Sequence, residues 1–110
     1  MNRAFGCEAT AAALTRSLQG LAGGRGHVVL HSERPWRSIT FSGSRHRIAL
    51  TFLGTEAAAR GEAFVAALPE HEFNLPRVLV ADVEIVGVER TSEPRPQIDV
   101  EIDVLIIEQE

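Results

Sequence analysis

A two-layer α+β fold follows from three features of this 110-residue chain. Most of it reads as segments in which apolar and polar residues alternate with period two, the mark of half-buried strands. Two alanine-rich stretches, 8–21 and 56–68, instead place apolar residues three and four apart, the helical spacing. Short turns join consecutive strand segments, which suits antiparallel neighbours. The predicted order is helix, three strands, helix, two strands (αβββαββ). It makes a five-stranded, mostly antiparallel sheet with both helices on one face. A single domain over 1–110 is expected at this length.

The first helix is read over Glu8 to Leu21, with Ala11, Leu14, Leu18 and Leu21 on one stripe. Gly23, Gly24 and Gly26 then terminate it. His27 to His31 is read as a strand, Ser32 to Pro35 as a turn, and Arg37 to Ser42 as a second strand burying Ile39 and Phe41. Gly43-Ser44 has the form of a two-residue hairpin turn with glycine first. The third strand ends at Leu53 and aligns Ile48, Leu50 and Phe52 on one face.

Gly54 breaks that alternation, and Thr55 is the expected N-cap of the second helix. Ala57, Gly61, Phe64, Val65 and Leu68 share one helical face, and Glu56 and Arg60 form an i,i+4 pair on the other side. Gly61 lowers helix propensity by about 1 kcal/mol relative to alanine, so close approach to the sheet is its expected role. Pro69 sets the helix end near Leu68. A loop from Pro69 to Pro76, a strand over 77–89, a turn over 91–97 and a last strand over 98–107 complete the chain.

Composition narrows the function classes. Hydrophobic content of 45% and charged content of 24% suit a soluble globular domain. No apolar run approaches the ~18 residues of a membrane span. Glu8 and Arg16 interrupt the N-terminal alanine-rich stretch, which lacks the order of a signal peptide, so a cytoplasmic protein is expected. Cys7 alone allows neither an internal disulfide nor a multi-cysteine zinc site. All eleven basic residues are arginine, which fits a bacterial genome rich in G and C. The absence of lysine removes Schiff-base chemistry and phosphate-loop motifs.

No catalytic motif emerges, and neither a cofactor nor a metal site is expected. His27 and His31 would lie roughly 13 Å apart on a strand, too far to chelate one ion alone. The segment Glu70-His71-Glu72 lacks the second histidine of HExxH. Ser42-Gly43-Ser44 lacks the GxSxG frame, and the glycines at 20–26 follow a helix rather than a strand. The second reading is a small-molecule-binding protein or minor enzyme with a His/carboxylate pocket lined by His31, His46, Asp82 and Glu84.

Charge is unevenly spread. Residues 25–47 hold five arginines against the single Glu33, whereas residues 82–110 hold nine acids against Arg90 and Arg95. Arg34, Trp36, Arg37, Arg45 and Arg47 could touch nucleic acid. The opening order of elements is similar, in topology alone, to that of double-stranded-RNA-binding domains. The second helix here opens with Glu56 rather than a basic cluster, and the net charge is −4. Specific nucleic-acid binding is therefore not expected.

The last two strands point to assembly. Ile98, Val100, Ile102, Val104 and Ile106 form one apolar face, as do Leu79, Ala81, Val83 and Ile85. Burying both faces together requires paired residue numbers with odd sums, placing Glu84 near Asp103 and Val80 near Ile107. Val78, Val80, Leu105 and Ile107 would then form an apolar patch on the outer face, with Arg37 or Arg47 approaching the acids. With both helices on the inner face, the patch needs another cover. A non-enzymatic domain that forms a two-fold homodimer is the expectation.

Overall fold

The computed structural model describes residues 3–109. Its elements are α1 (Arg3–Leu21), β1 (His27–Arg37), β2 (Ser42–Leu53), α2 (Thr55–Ala67), a 3₁₀ turn (Leu68–Glu70), β3 (Val78–Thr91) and β4 (Gln97–Glu108). The α+β class is as expected, but the sheet has four strands rather than five. Their order is β1-β2-β4-β3, and every neighbouring pair is antiparallel. The topological likeness to double-stranded-RNA-binding domains falls with the missing strand.

The lost strand has a local cause. β1 continues through the expected Ser32–Pro35 turn, because Pro35 lies on an edge strand, where a missing N–H is tolerated. The reversal comes later, at Ser38–Phe41. There the Ser38 N–H donates to the Phe41 carbonyl (2.8 Å) and the Phe41 N–H to Ser38 Oγ (3.1 Å). Ile39 and Phe41, expected to be buried, therefore sit in the loop, 101% and 54% exposed. Gly43 and Ser44 form no turn and lie inside β2, where Gly43 pairs with Trp36 and Ile107. A Cβ on Gly43 would fall 1.8 Å from the Ile106 carbonyl oxygen, so only glycine fits against β4 there.

The core lies between the helices and the even-numbered face of β2 and β4. Ile48, Leu50 and Phe52 meet Ile98, Val100, Ile102, Val104 and Ile106, closed over by Leu14 and Leu18 of α1, by Ala57 and Phe64 of α2, and by Leu68 beyond it. Gly61 is buried as expected, and a Cβ there would come within 2.9 Å of the Phe52 ring. The Phe52 and Phe64 rings meet with centroids 5.6 Å apart.

Two details of α2 differ from expectation. Thr55 is the first helical residue, and Gly54 is the N-cap, at φ 103°, which favours glycine. Its carbonyl accepts from the Ala58 N–H (2.8 Å), so backbone rather than the Thr55 hydroxyl closes the helix start. Glu56 and Arg60 do not pair with each other. Glu56 accepts from Arg25 (2.9 Å), and Arg60 donates to the Leu21 carbonyl at the end of α1 (3.1 Å). Among the described residues, no helix is long and apolar enough to cross a membrane.

The register of β3 on β4 departs from the expected one at two bulges. Between them Glu84 pairs with Asp103, as expected. At Ala81 an extra residue shifts the ladder, so that Val80 pairs with Ile106 rather than lying near Ile107. Each bulge residue reverses the faces beyond it. Val78 and Val80, expected on the outer face, therefore pack against the core, while Leu79, expected inside, is 50% exposed opposite Ile107. Ala81 is itself exposed. The second bulge, at Val86, leaves that side chain 41% exposed.

Candidate functional site

Two places gather polar side chains: a chain of residues beneath the helical layer and the helix-free face of the sheet. Beneath the helices, His46 is fully buried, cross-strand from Glu33 on β1 and Val104 on β4. Its Nε2 lies 2.8 Å from Ser44 Oγ, and its Nδ1 lies 2.9 Å from His31 Nε2. Ser44 and His46 share a face because they are two apart on one strand. His31 joins them because β1 pairs it with Ile48, the neighbour of His46 on that face.

Burial holds the His46 pKa below its ordinary value; Glu33 pulls it upward and His31 pushes it further down. Near pH 7 the ring is neutral, with one donor and one acceptor nitrogen. Ser44 and His31 fill both positions, and every buried side-chain nitrogen and oxygen among the described residues has a partner.

Hydroxyl, imidazole and imidazole in sequence is an order in which a serine can be activated. A nucleophile must also be reachable, and Ser44 is only 9% exposed while His46 is fully buried. Neither residue lines the surface depressions of about 580, 410 and 490 Å³. The chain is thus a satisfied interior network that ties β1 to β2.

The four residues expected to line a pocket do not form one site. His31 and His46 are joined on the covered face, whereas Asp82 and Glu84 lie on the opposite face of β3, with β4 between β3 and β2. The 580 Å³ depression runs along β3, is lined by Phe73, Leu75 and Asp82, and includes neither of those histidines.

The helix-free face is ordered in cross-strand rows, since directly paired residues share a face. One row reads Trp36, Gly43, Ile107 and Leu79 from β1 through β2 and β4 to β3. The next reads Arg34, Arg45, Leu105 and Asp82, and the third Ser32, Arg47, Asp103 and Glu84. Further along, His27 and Thr51 lie in a row with Asp99 and Glu89.

The face is therefore basic over β1 and β2, acidic over β4 and β3, and apolar at the Trp36–Leu79 end. Its central strands are cross-linked. Arg45 meets Asp103 at 3.1 Å, and Arg47 meets Glu101 at 3.1 Å and Asp103 at 3.8 Å. Arg47 thus takes the position expected of it beside Asp103, joined by Arg45, which the sequence reading did not assign there. Arg34, Arg45, Arg47 and Asp103 also line the 410 Å³ depression.

Sequence reasoning did not assign Ser44 to the interior network, or Trp36 and Leu79 to the apolar end of the open face. Ser44 could have been found by carrying period two backward from His46 through the glycine. Trp36 and Leu79 depend on the hairpin position and on the Ala81 bulge, for which the sequence has no clear sign.

No family model matches the chain, and no curated protein matches it. Among solved structures, it is similar to a chain of the virion of a native gene transfer agent particle, at 15% identity and a TM-score of 0.55. The match covers 82% of this chain and 84% of that one. It is also similar to the type 4 fimbrial biogenesis protein PilO from Pseudomonas aeruginosa, at 16% identity and a TM-score of 0.44, over 86% of this chain and 65% of that one. At this identity the gene transfer agent chain bears on the fold alone.

Proposed function

We propose that this chain is a non-enzymatic assembly domain that pairs with a second copy of itself through the helix-free face of its sheet. The observation that carries this reading is the division of that face. Three exposed or half-buried apolar side chains, Leu79, Leu105 and Ile107, and the half-buried Trp36 cluster at one end. Opposite charges segregate to the two halves of the remainder. Full burial of a large apolar side chain is worth roughly 1.5–3 kcal/mol, so a partner over this end stabilises the face considerably. Both helices are committed to the other face. A second copy suits it because the same surface holds both signs of charge, and a two-fold interface is self-complementary.

The double variant Leu79→Asp with Ile107→Asp tests the reading, since both residues lie on the open face and their loss leaves the core intact. The expected result is a cooperatively folded protein of half the wild-type mass by light scattering. An unchanged mass in a folded double variant contradicts the proposal.

A further inference from the structure

We infer that the two-fold axis of this dimer runs parallel to the strands, between β2 and β4, and that it joins Arg34 of each subunit to Asp82 of the partner subunit. The inference rests on the self-association reading and adds its geometry.

Where the ion pairs lie makes the case. On the open face they are confined to the central strands, where Arg45 and Arg47 of β2 meet Glu101 and Asp103 of β4. The edge strands are left with unmatched charge of opposite sign. Among the described residues, Arg34 on β1 makes no ion pair, and neither do Asp82, Glu84 and Glu89 on β3. β1 and β3 are the two outermost strands, so these charges cannot meet within one subunit.

When two sheets pack face to face, the two-fold axis lies in the plane between them. An axis across the strands sets β1 on the partner's β1 and β3 on the partner's β3, placing like charges together. An axis along the strands between β2 and β4 turns each row over onto itself, with strand order reversed. β1 then lies on the partner's β3, and β2 on the partner's β4.

At the edge strands that arrangement is complementary. Arg34 faces Asp82 of the partner subunit, and Ser32 faces Glu84 of the partner subunit. His27 faces Glu89 of the partner subunit. At the apolar end, Trp36 meets Leu79 of the partner subunit, and Ile107 of the partner subunit sits over Gly43, which presents no side chain. Strand directions in the two sheets then agree to within the roughly 30° common for aligned sheets. The contact lies where the 410 Å³ depression beside Arg34 leaves room for a partner side chain.

A charge swap tests the axis. Arg34 and Asp82 are both exposed, so neither Arg34→Asp nor Asp82→Arg is expected to lower the melting temperature of the isolated fold. Each contact occurs twice in a two-fold dimer. Either single variant should weaken dimerisation by about tenfold or more, as measured by sedimentation equilibrium at low salt. The double variant Arg34→Asp with Asp82→Arg should restore most of that loss.

A wild-type protein that stays monomeric defeats the self-association reading itself. A wild-type dimer whose single variants dissociate no more readily, or whose double variant is no tighter than the singles, overturns the axis alone. Tightening by Arg34→Ala alone would overturn the axis along the strands and point to the axis across them, where Arg34 faces like charge.

Discussion

His46 sits in the interior as a neutral ring, and its environment makes it a proton sensor for stability. Its folded pKa lies below the ordinary value of 6.5, chiefly because burial disfavours the charged ring. As pH falls, the unfolded chain therefore takes up this proton first. The contribution is fully present above 6.5 and is lost as pH drops below that value towards the folded pKa. Were both rings protonated, two N–H groups would face each other across the 2.9 Å between His31 and His46. Denaturant melts at pH 7.5 and 5.5 should show the wild type losing stability at the lower pH, and His46→Gln losing less. Equal losses in the two proteins would place the sensitivity elsewhere. His46 was legible as a strand residue and, with His31, as a candidate pocket residue. Its partners depended on where β1 reverses, and Ser44 was read as a turn.

At the scale of the elements, the buried face of α2 was legible and the first hairpin was not. The helix writes its buried face at a fixed spacing, so Ala57, Gly61, Phe64 and Leu68 could be placed without knowing the rest of the fold. Phe64 is fully buried against Phe52. Phe64→Ala should cost about 3–5 kcal/mol in a urea melt, because it removes a large aromatic ring and leaves a cavity. A loss below about 1 kcal/mol would mean that α2 turns another face to the sheet. The β1–β2 hairpin misleads because its turn residues sit one element out of place. Pro35 looks like punctuation but lies on an edge strand, and Gly43 looks like a turn but is demanded by the close approach of the Ile106 carbonyl. The stretch Arg37-Ser38-Ile39-Thr40-Phe41 alternates as a strand does, yet its Ser38 hydroxyl is spent on closing a loop. The bulges at Ala81 and Val86 are of the same kind: each changes the face of the residues beyond it, the first without a mark in the sequence and the second beside Gly87.

In the whole molecule, the helical layer and the sheet share one core and leave one broad face without a helix. The charge asymmetry along the sequence becomes an asymmetry across that face, because β1 and β2 lie on one side and β4 and β3 on the other. Arg45 and Arg47 are engaged by Glu101 and Asp103, which leaves little unmatched positive charge for a phosphate backbone. Retention on duplex RNA or DNA should accordingly be weak and should vanish at physiological salt; submicromolar binding in a filter assay at that salt would contradict the assignment of the face to a protein partner. Of the four residues first placed on the apolar patch, Leu105 and Ile107 keep the open face, while Val78 and Val80 give way to Leu79 and Trp36. The central claim is that this face is closed by a second copy. Sedimentation equilibrium of the wild-type chain across the micromolar range tests it most directly. The account predicts a mass approaching twice the 12.0 kDa of the chain at high micromolar concentration. A mass of 12.0 kDa throughout that range would contradict it.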